Sequence, residues 1–157
     1  MVFVYAKFEI VPIKGATVFL SHGIAFHGIK REKDPMLDEV LIVPQFSILT
    51  RIGEDDSDDD FIFTKAVNVI HQALLRDDWL YDVMKKGTFN EVAAGFNLVI
   101  DKILAYEERK VLHDKYFAQE KPNEFSDTLL EKISHMNKTI MRIEREIEEF
   151  KTEFYGP

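Results

Sequence analysis

The sequence contains no cysteine, and only seven glycines and five prolines among its 157 residues. Without cysteine the chain cannot form disulfide bonds, thiolate zinc sites, iron–sulfur clusters or a cysteine nucleophile. No apolar run approaches the roughly 20 residues that cross a membrane. Residues 1–7 have no basic segment ahead of their apolar stretch, which disfavours a secretory signal. We therefore expect a cytoplasmic protein that makes no contact with membranes.

Motifs that carry chemistry are also missing. The sequence has no phosphate-binding loop, no dinucleotide fingerprint and no Gly-x-Ser-x-Gly elbow. None of the histidines forms the i, i+4 helical pair that binds zinc in metalloproteases. We therefore predict no catalytic residue, no metal site, no cofactor and no enzymatic activity. An enzyme whose site is assembled from distant loops stays an alternative. The histidines are His22, His27, His71, His113 and His135.

Arg109 and His113 lie four positions apart in helical sequence. The pair is similar to the Arg/His signature of the HEPN ribonucleases. That resemblance would imply an all-helical fold in which the two side chains cleave RNA. It covers five residues, and the strand-rich N-terminal sequence does not fit an all-helical fold. We therefore assign the chain to no family, and a nuclease remains an example of the enzymatic alternative.

Most of the net charge of -8 comes from one short segment. Residues 54–60 contain six acidic groups and no basic one, and no basic stripe elsewhere favours nucleic-acid binding. The segment does not match an EF-hand loop, because Phe61 stands where that loop needs glycine. Three interpretations are open for this segment. It is a solvent-exposed helix N-terminus or loop without a partner, a loose cation site, or a surface that contacts a basic partner. Tryptophan and tyrosine dominate interface hot spots. Two groups of residues are therefore candidates for binding a partner, the acidic residues of this segment and one exposed aromatic pair. They are Glu54, Asp55, Asp56, Asp58, Asp59 and Asp60, and Trp79 with Tyr81.

The pattern along the chain predicts an α+β fold with four segments. Residues 1–53 are rich in valine, isoleucine and phenylalanine and predict a small antiparallel sheet of four or five strands. Within it Gly28 suggests a bulge, and Pro44 predicts an edge or bulged strand. Residues 54–60 form an acidic junction, and residues 61–121 form a helical region. Residues 122–157 form a heptad-patterned helix that completes a helical bundle or hairpin.

Residues that start and stop helices divide the helical region into separate helices. Apolar residues at helical spacing predict a helix after the acidic junction, which either continues through Asp77-Asp78 or kinks there. Gly87 favours a helix end, and Thr88 with Glu91 forms a capping-box pattern at the start of the next helix. The sequence breaks again at 121–123, and the last helix is predicted to begin near Ser126–Thr128 and to end near Phe154.

The last helix carries the strongest pattern in the chain. Eight apolar residues are spaced alternately four and three apart, which is a 3.5-residue repeat. Such a narrow stripe is typical of a seam between helices. It predicts either an intrachain hairpin with the preceding helix or self-association through this seam, and the two can coexist. The seam residues are Leu129, Ile133, Met136, Ile140, Ile143, Ile147, Phe150 and Phe154.

We therefore expect a non-enzymatic protein-interaction or oligomerisation module that assembles through its helical C-terminal half. A protein partner is expected, with a homo-oligomer as one possibility. The alternative suggested by the net charge is an acidic inhibitor, or nucleic-acid mimic, that occupies a basic groove on a partner.

Overall fold

The computed structural model describes residues 3–13, 15–34, 36, 39–49, 56–119 and 121–156. Within these residues five strands are followed by four helices, which confirms the α+β class and the long last helix. Two compact units are present, unit 1 from Met1 to Ile100 and unit 2 from Asp101 to Pro157. In chain order the elements are β1 (Phe3–Ala6), β2 (Glu9–Ile10), β3 (Val18–Phe19), β4 (Ile24–Asp34), β5 (Glu39–Ile48), α1 (Asp56–Arg76), α2 (Trp79–Lys86), α3 (Phe89–Phe117) and α4 (Ser126–Tyr155).

The sheet of unit 1 is mixed. Its strands follow the order β1-β5-β4-β3, and β2 also pairs with β5. The predicted antiparallel arrangement holds for β3, β4 and β5, whereas β1 and β2 run parallel to β5. A tight turn forces consecutive strands to be antiparallel. Because β3 and β4 separate β1 and β2 from β5 along the chain, no tight turn sets the direction of the first two strands.

The sequence predicts an edge strand or a bulge at Pro44, but the structure places this proline inside β5, which has neighbours on both sides. Alternate residues of a strand direct their N–H and C=O groups to the same side. The Ile42 carbonyl accepts a hydrogen bond from the Lys7 N–H (3.0 Å), and the Phe46 carbonyl accepts one from Val11 (2.8 Å). The Pro44 nitrogen therefore faces the interval where β1 has ended and β2 has not begun. The proline interrupts pairing there and leaves the ladder with β4 intact.

A β-bulge between Phe26 and Gly28 reverses the alternation of side chains along β4. Gly28 supports it with a φ of 153°, which side-chain-bearing residues rarely adopt. Because of this extra residue, Phe26 and Arg31 both face the helices. Arg31 Nε donates to the Met84 carbonyl and Nη2 donates to the Gly87 carbonyl, both at 2.7 Å. The bulge thus places a cation at the C-terminal end of α2, where the helix dipole favours positive charge.

Aromatic rings form the core between the sheet and the helices of unit 1. Phe26, Phe46 and Phe96 are fully buried. The Phe46 ring lies 5.8 Å from that of Phe26 and 5.2 Å from that of Phe96, centroid to centroid. Phe89 adds a fourth ring 5.1 Å from Phe26. The two central strands and the beginning of α3 therefore share one cluster.

The helix boundaries of unit 1 follow the sequence signals. The chain breaks at Asp77-Asp78, between α1 and α2. Gly87 ends α2 with extended backbone, and a Cβ there would lie 2.5 Å from the Val83 carbonyl oxygen, so close approach explains the glycine. The capping box is confirmed: Thr88 N–H donates to Glu91 Oε1 at 2.9 Å, and Glu91 N–H donates to Thr88 Oγ1 at 3.2 Å.

Unit 2 is an antiparallel helical hairpin formed by α4 and the second half of α3. The turn between them is held by polar side chains. Ser126 Oγ donates to Gln119 Oε1 at 2.7 Å and accepts from the Asn123 N–H at 2.9 Å. The Phe125 N–H donates to Asn123 Oδ1 at 2.8 Å. These bonds close the reversal and start α4 at the predicted position.

Candidate interaction groove on the helical hairpin

The heptad seam of α4 is already covered within a single chain. Its central residues are buried, and its outer residues are half-buried. Seam residues that the chain itself covers cannot also present an open surface to a partner. The exposed part of any docking surface on the hairpin must therefore come mainly from residues outside the seam. The buried residues are Ile133, Met136, Ile140, Ile143 and Ile147, and the half-buried ones are Leu129, Phe150 and Phe154.

One face of the hairpin is closed by polar contacts between its helices. Tyr106 on α3 donates a hydrogen bond from its hydroxyl to Glu144 on α4. Arg109 Nη1 donates to Asn137 Oδ1 at 3.0 Å, and the Arg109 guanidinium lies 4.7 Å from the centre of the Tyr106 ring. Arg109 is therefore engaged in packing the two helices, while the His113 ring contacts that of Phe117.

The hydrogen bond to Glu144 raises the pKa of Tyr106 above its ordinary value of 10.0; burial and the negative charge of Glu144 raise it further, and Arg109 opposes them. A raised pKa means that the folded state favours the protonated phenol. This contribution to stability is complete below pH 10.0 and is lost as the pH rises through the higher folded-state pKa.

We expect the Glu144→Gln substitution to lower the pKa of Tyr106 toward 10.0, because it removes the charged acceptor. Phenolate absorbance measures the titration, and subtracting the curve of a Tyr106→Phe protein isolates this tyrosine from the other four. An unchanged Tyr106 titration in Glu144→Gln would contradict the hydrogen bond as the cause.

The other face of the hairpin is open. Two adjoining hollows of about 530 and 560 Å³ share Glu108, His135 and Met136, and together they form one hairpin groove between α3 and α4. Its apolar surface includes Val111, whose side chain is 51 % exposed. The α3 wall contains Asp101, Leu104, Glu108, Val111, Leu112 and Lys115. The α4 wall contains Glu131, Lys132, His135, Met136, Thr139 and Arg142.

Charged groups of both signs border the groove. One hollow contains Asp101 and Arg142, the other contains Lys115, Glu131 and Lys132, and both contain Glu108 and His135. The three carboxylates balance the three permanent cations, so the groove presents no strong potential of either sign. Such a surface favours a partner that is itself apolar and mixed in charge.

Sequence reasoning missed this groove, although a signal was present. Asp101, Glu108 and Lys115 recur every seven residues on α3, and His135 and Arg142 do so on α4. A seven-residue spacing places side chains on one face of a helix. The apolar stripe becomes irregular in this part of α3. Hydrophobic periodicity alone does not reveal a helix face whose repeating residues are polar.

The candidate partner-binding residues predicted from sequence belong to unit 1. Glu54 and Asp55 are outside the described residues. The backbone of Asp56, Asp58, Asp59 and Asp60 is helical, at the N-terminal end of α1 as predicted, and their side chains are outside the described part of the chain. Trp79 and Tyr81 are half-buried on α2, and Trp79 Nε1 donates to Asp77 Oδ1 at 3.2 Å. The described residues that line the hairpin groove include neither Trp79 nor Tyr81.

A serine and a histidine meet in unit 1. Ser47 Oγ donates to the Val11 carbonyl at 2.5 Å, and His27 Nε2 lies 2.5 Å from Ser47 Oγ. His27 Nδ1 lies 3.1 Å from Thr17 Oγ1. A nucleophilic serine must give its proton to the histidine, whereas the Ser47 proton is directed to a carbonyl and the residue is buried. The contacts therefore tie the strands together and do not form a catalytic pair.

Two findings concern only the residues that the structure describes. No helix there combines the length and apolar character needed to cross a bilayer. No group of three or more His, Cys, Asp or Glu side chains there is placed to hold a metal ion. Comparison with protein-family models, with curated proteins and with solved structures found no match to this chain.

Proposed function

We propose that this chain is a non-enzymatic protein-interaction module whose hairpin groove binds a helix of a protein partner. The observation that carries the proposal is the open groove, which is lined by charged groups of both signs and by apolar side chains, of which Val111 is exposed. An amphipathic helix that docks in such a groove buries its apolar face and pairs its flanking charges.

The length and charge of the groove support a helix as the occupant. From Asp101 to Lys115 the α3 wall extends about 21 Å at 1.5 Å per residue, which matches a helical segment of four turns. A nucleic acid would need an excess of basic groups to release counterions, and here carboxylates and cations are equal in number. Val111, which lines one of the two hollows, is 51 % exposed and offers apolar surface for burial.

The acidic-inhibitor and enzymatic functions stay predictions. The first depends on residues 54–60, whose side chains lie outside the described part of the chain. The second has no described cluster to support it, since Ser47 is directed to a carbonyl and Arg109 is engaged with Asn137 and Tyr106.

Photo-crosslinking tests the proposed surface. A photoreactive amino acid at Val111, in the groove, is expected to give several-fold more protein adduct in native cell extract than the same group at Met141. Met141 is the matched control, because it is 70 % exposed on α4 and does not border the groove. Equal yields at the two positions, or no adduct at Val111, would contradict the proposal. The adduct mass identifies the trapped protein.

A further inference from the structure

We propose that the outer edge of β4 pairs with the same edge of a second copy of this chain, in antiparallel orientation, so that two sheets become one continuous sheet. β4 belongs to unit 1, so this association does not depend on the hairpin groove of unit 2. The length of the open edge and the order of charges along it support a second copy as the occupant.

Most of the outer side of β4 is open. β5 pairs with β4 from Ile24 to Asp34, whereas β3 has only two residues and pairs with Ala25 and Phe26. Within the described part of the chain, no strand pairs with the outer side of β4 beyond the bulge at Gly28. The unpaired N–H and C=O groups of such an edge are a template for a strand from another chain.

The backbone alternation shows which groups this edge presents. The Ile42 carbonyl accepts from the Lys7 N–H on the far side of β5, so the neighbouring Val43 directs its N–H and C=O to β4. Val43 lies opposite Lys30, whose main-chain groups therefore bond to β5. By alternation, the residues whose N–H and C=O groups face the open edge are Ile29, Arg31 and Lys33.

One register of a two-fold symmetric pair uses the whole edge. The open stretch 28–34 has its midpoint at Arg31, because β3 covers the strand before it and Pro35, which has no N–H, follows it. In an antiparallel pair centred there, Arg31 exchanges both main-chain hydrogen bonds with Arg31 of the second copy. Ile29 of each copy then pairs with Lys33 of the other.

The same register brings opposite charges together on the sheet face away from the helices. Lys30 of each copy lies directly opposite Glu32 of the other, and both residues are exposed. Opposite charges at facing positions of an antiparallel pair are stabilising. Lys30 Nζ also lies 4.0 Å from Glu9 Oε1, a contact between exposed groups that contributes little. Since an ammonium group has three donors, Lys30 can contact both carboxylates.

Neighbouring registers bring like charges together. A pair centred on Lys30 would place the two Lys30 side chains opposite each other, and a pair centred on Glu32 would do the same with the two carboxylates. In the proposed register the two Arg31 residues are neighbours on the helix side. Each guanidinium is bound to the carbonyls of Met84 and Gly87 at the C-terminal end of α2, which offsets its charge. The charges therefore favour the register with the greatest overlap.

Charge-reversal variants of the full chain test this pairing by analytical ultracentrifugation. We expect the unmodified chain to dimerise, and Lys30→Glu and Glu32→Lys each to weaken the dimer about tenfold or more, because two attractive pairs become repulsive. An equimolar mixture of the two variants, and the double variant with both substitutions, are expected to regain the affinity, since every cross pair is again opposite in charge. Lys110→Glu and Glu153→Lys are the controls, because they make the same charge changes at exposed positions of α3 and α4. Both are expected to dimerise like the unmodified chain.

Two substitutions at Lys33 separate main-chain pairing from side-chain contact. Lys33→Pro and Lys33→Ala remove the same charge, but only proline removes the N–H that faces the open edge. Like Pro44 in β5, it leaves the ladder on the other side of its strand intact. We expect Lys33→Pro to weaken the dimer about tenfold or more, since two hydrogen bonds are lost, and Lys33→Ala to dimerise like the unmodified chain.

Circular dichroism establishes that every variant is folded. An unmodified chain that is monomeric at all concentrations overturns the inference. A dimer that is insensitive to Lys30→Glu and Glu32→Lys, or a mixture of these variants without recovery, overturns it as well. Because the edge lies in unit 1, these outcomes do not affect the photo-crosslinking result expected at Val111 in the groove of unit 2.

Discussion

Replacing Phe26 with alanine is expected to lower the free energy of unfolding of unit 1 by about 3–5 kcal/mol. The side chain is fully buried, and its ring contacts those of Phe46, Phe89 and Phe96. Its removal loses the transfer free energy of a large apolar group and leaves a cavity that rigid neighbouring rings fill poorly. Trp79 is the single tryptophan of the chain and lies in unit 1. Its fluorescence during urea denaturation measures the loss.

Phe19→Ala is the control for this substitution. Phe19 lies on β3 in the same sheet, but it is 64 % exposed. Removing it exposes no core and is expected to change the free energy of unfolding by no more than about 0.5 kcal/mol. Equal losses from Phe19→Ala and Phe26→Ala would mean that the aromatic cluster does not hold the sheet on the helices.

The helices were largely predictable because their signals are local. A 3.5-residue repeat, a capping box and a glycine stop each operate within one or two turns. The last helix was predicted to begin near Ser126–Thr128 and to end near Phe154, and α4 spans Ser126–Tyr155. The direction of β1 and β2 could not be predicted in this way. It depends on which side of β5 the first strands reach after the chain has folded, and no turn residue encodes that choice.

The Arg31 contact shows how one local feature controls a distant one. Gly28 predicts a bulge from sequence, and the structure confirms it. The consequence could not be predicted from sequence, because the reversed alternation matters only once α2 is packed on that face of the sheet. The sequence marks where the strand is irregular, and the tertiary structure decides that the irregularity brings a guanidinium to two helix carbonyls.

The hairpin groove was not predicted from the sequence, although it lies in the helical half that the sequence suggested as an interaction surface. The heptad of α4 correctly marks a helix that packs along one stripe, and the single chain covers that stripe. The groove lies about a quarter turn away, where Glu108 and His135 interrupt the apolar pattern. From sequence alone, polar residues on a helix face predict a solvent-exposed surface. Only the position of the other helix of the hairpin shows that they border a groove.

Ile140→Ala tests whether the heptad seam is satisfied within one chain. Ile140 is 3 % exposed at the centre of the seam. We expect the substitution to lower the free energy of unfolding by about 2–5 kcal/mol, because a buried isoleucine leaves a cavity. Met141→Ala, at the neighbouring exposed position, is expected to change it by no more than about 0.5 kcal/mol. Helical circular dichroism during urea denaturation measures both.

The concentration dependence of this loss separates the two interpretations of the seam. An intrachain seam predicts the same difference between Ile140→Ala and the unmodified chain in dilute and concentrated protein, because each molecule buries its own isoleucine. A seam formed between copies predicts that the difference disappears in dilute protein, where both proteins are monomeric. A constant difference at all concentrations would show that the seam stabilises the single chain, so that a partner must bind to another face of the hairpin.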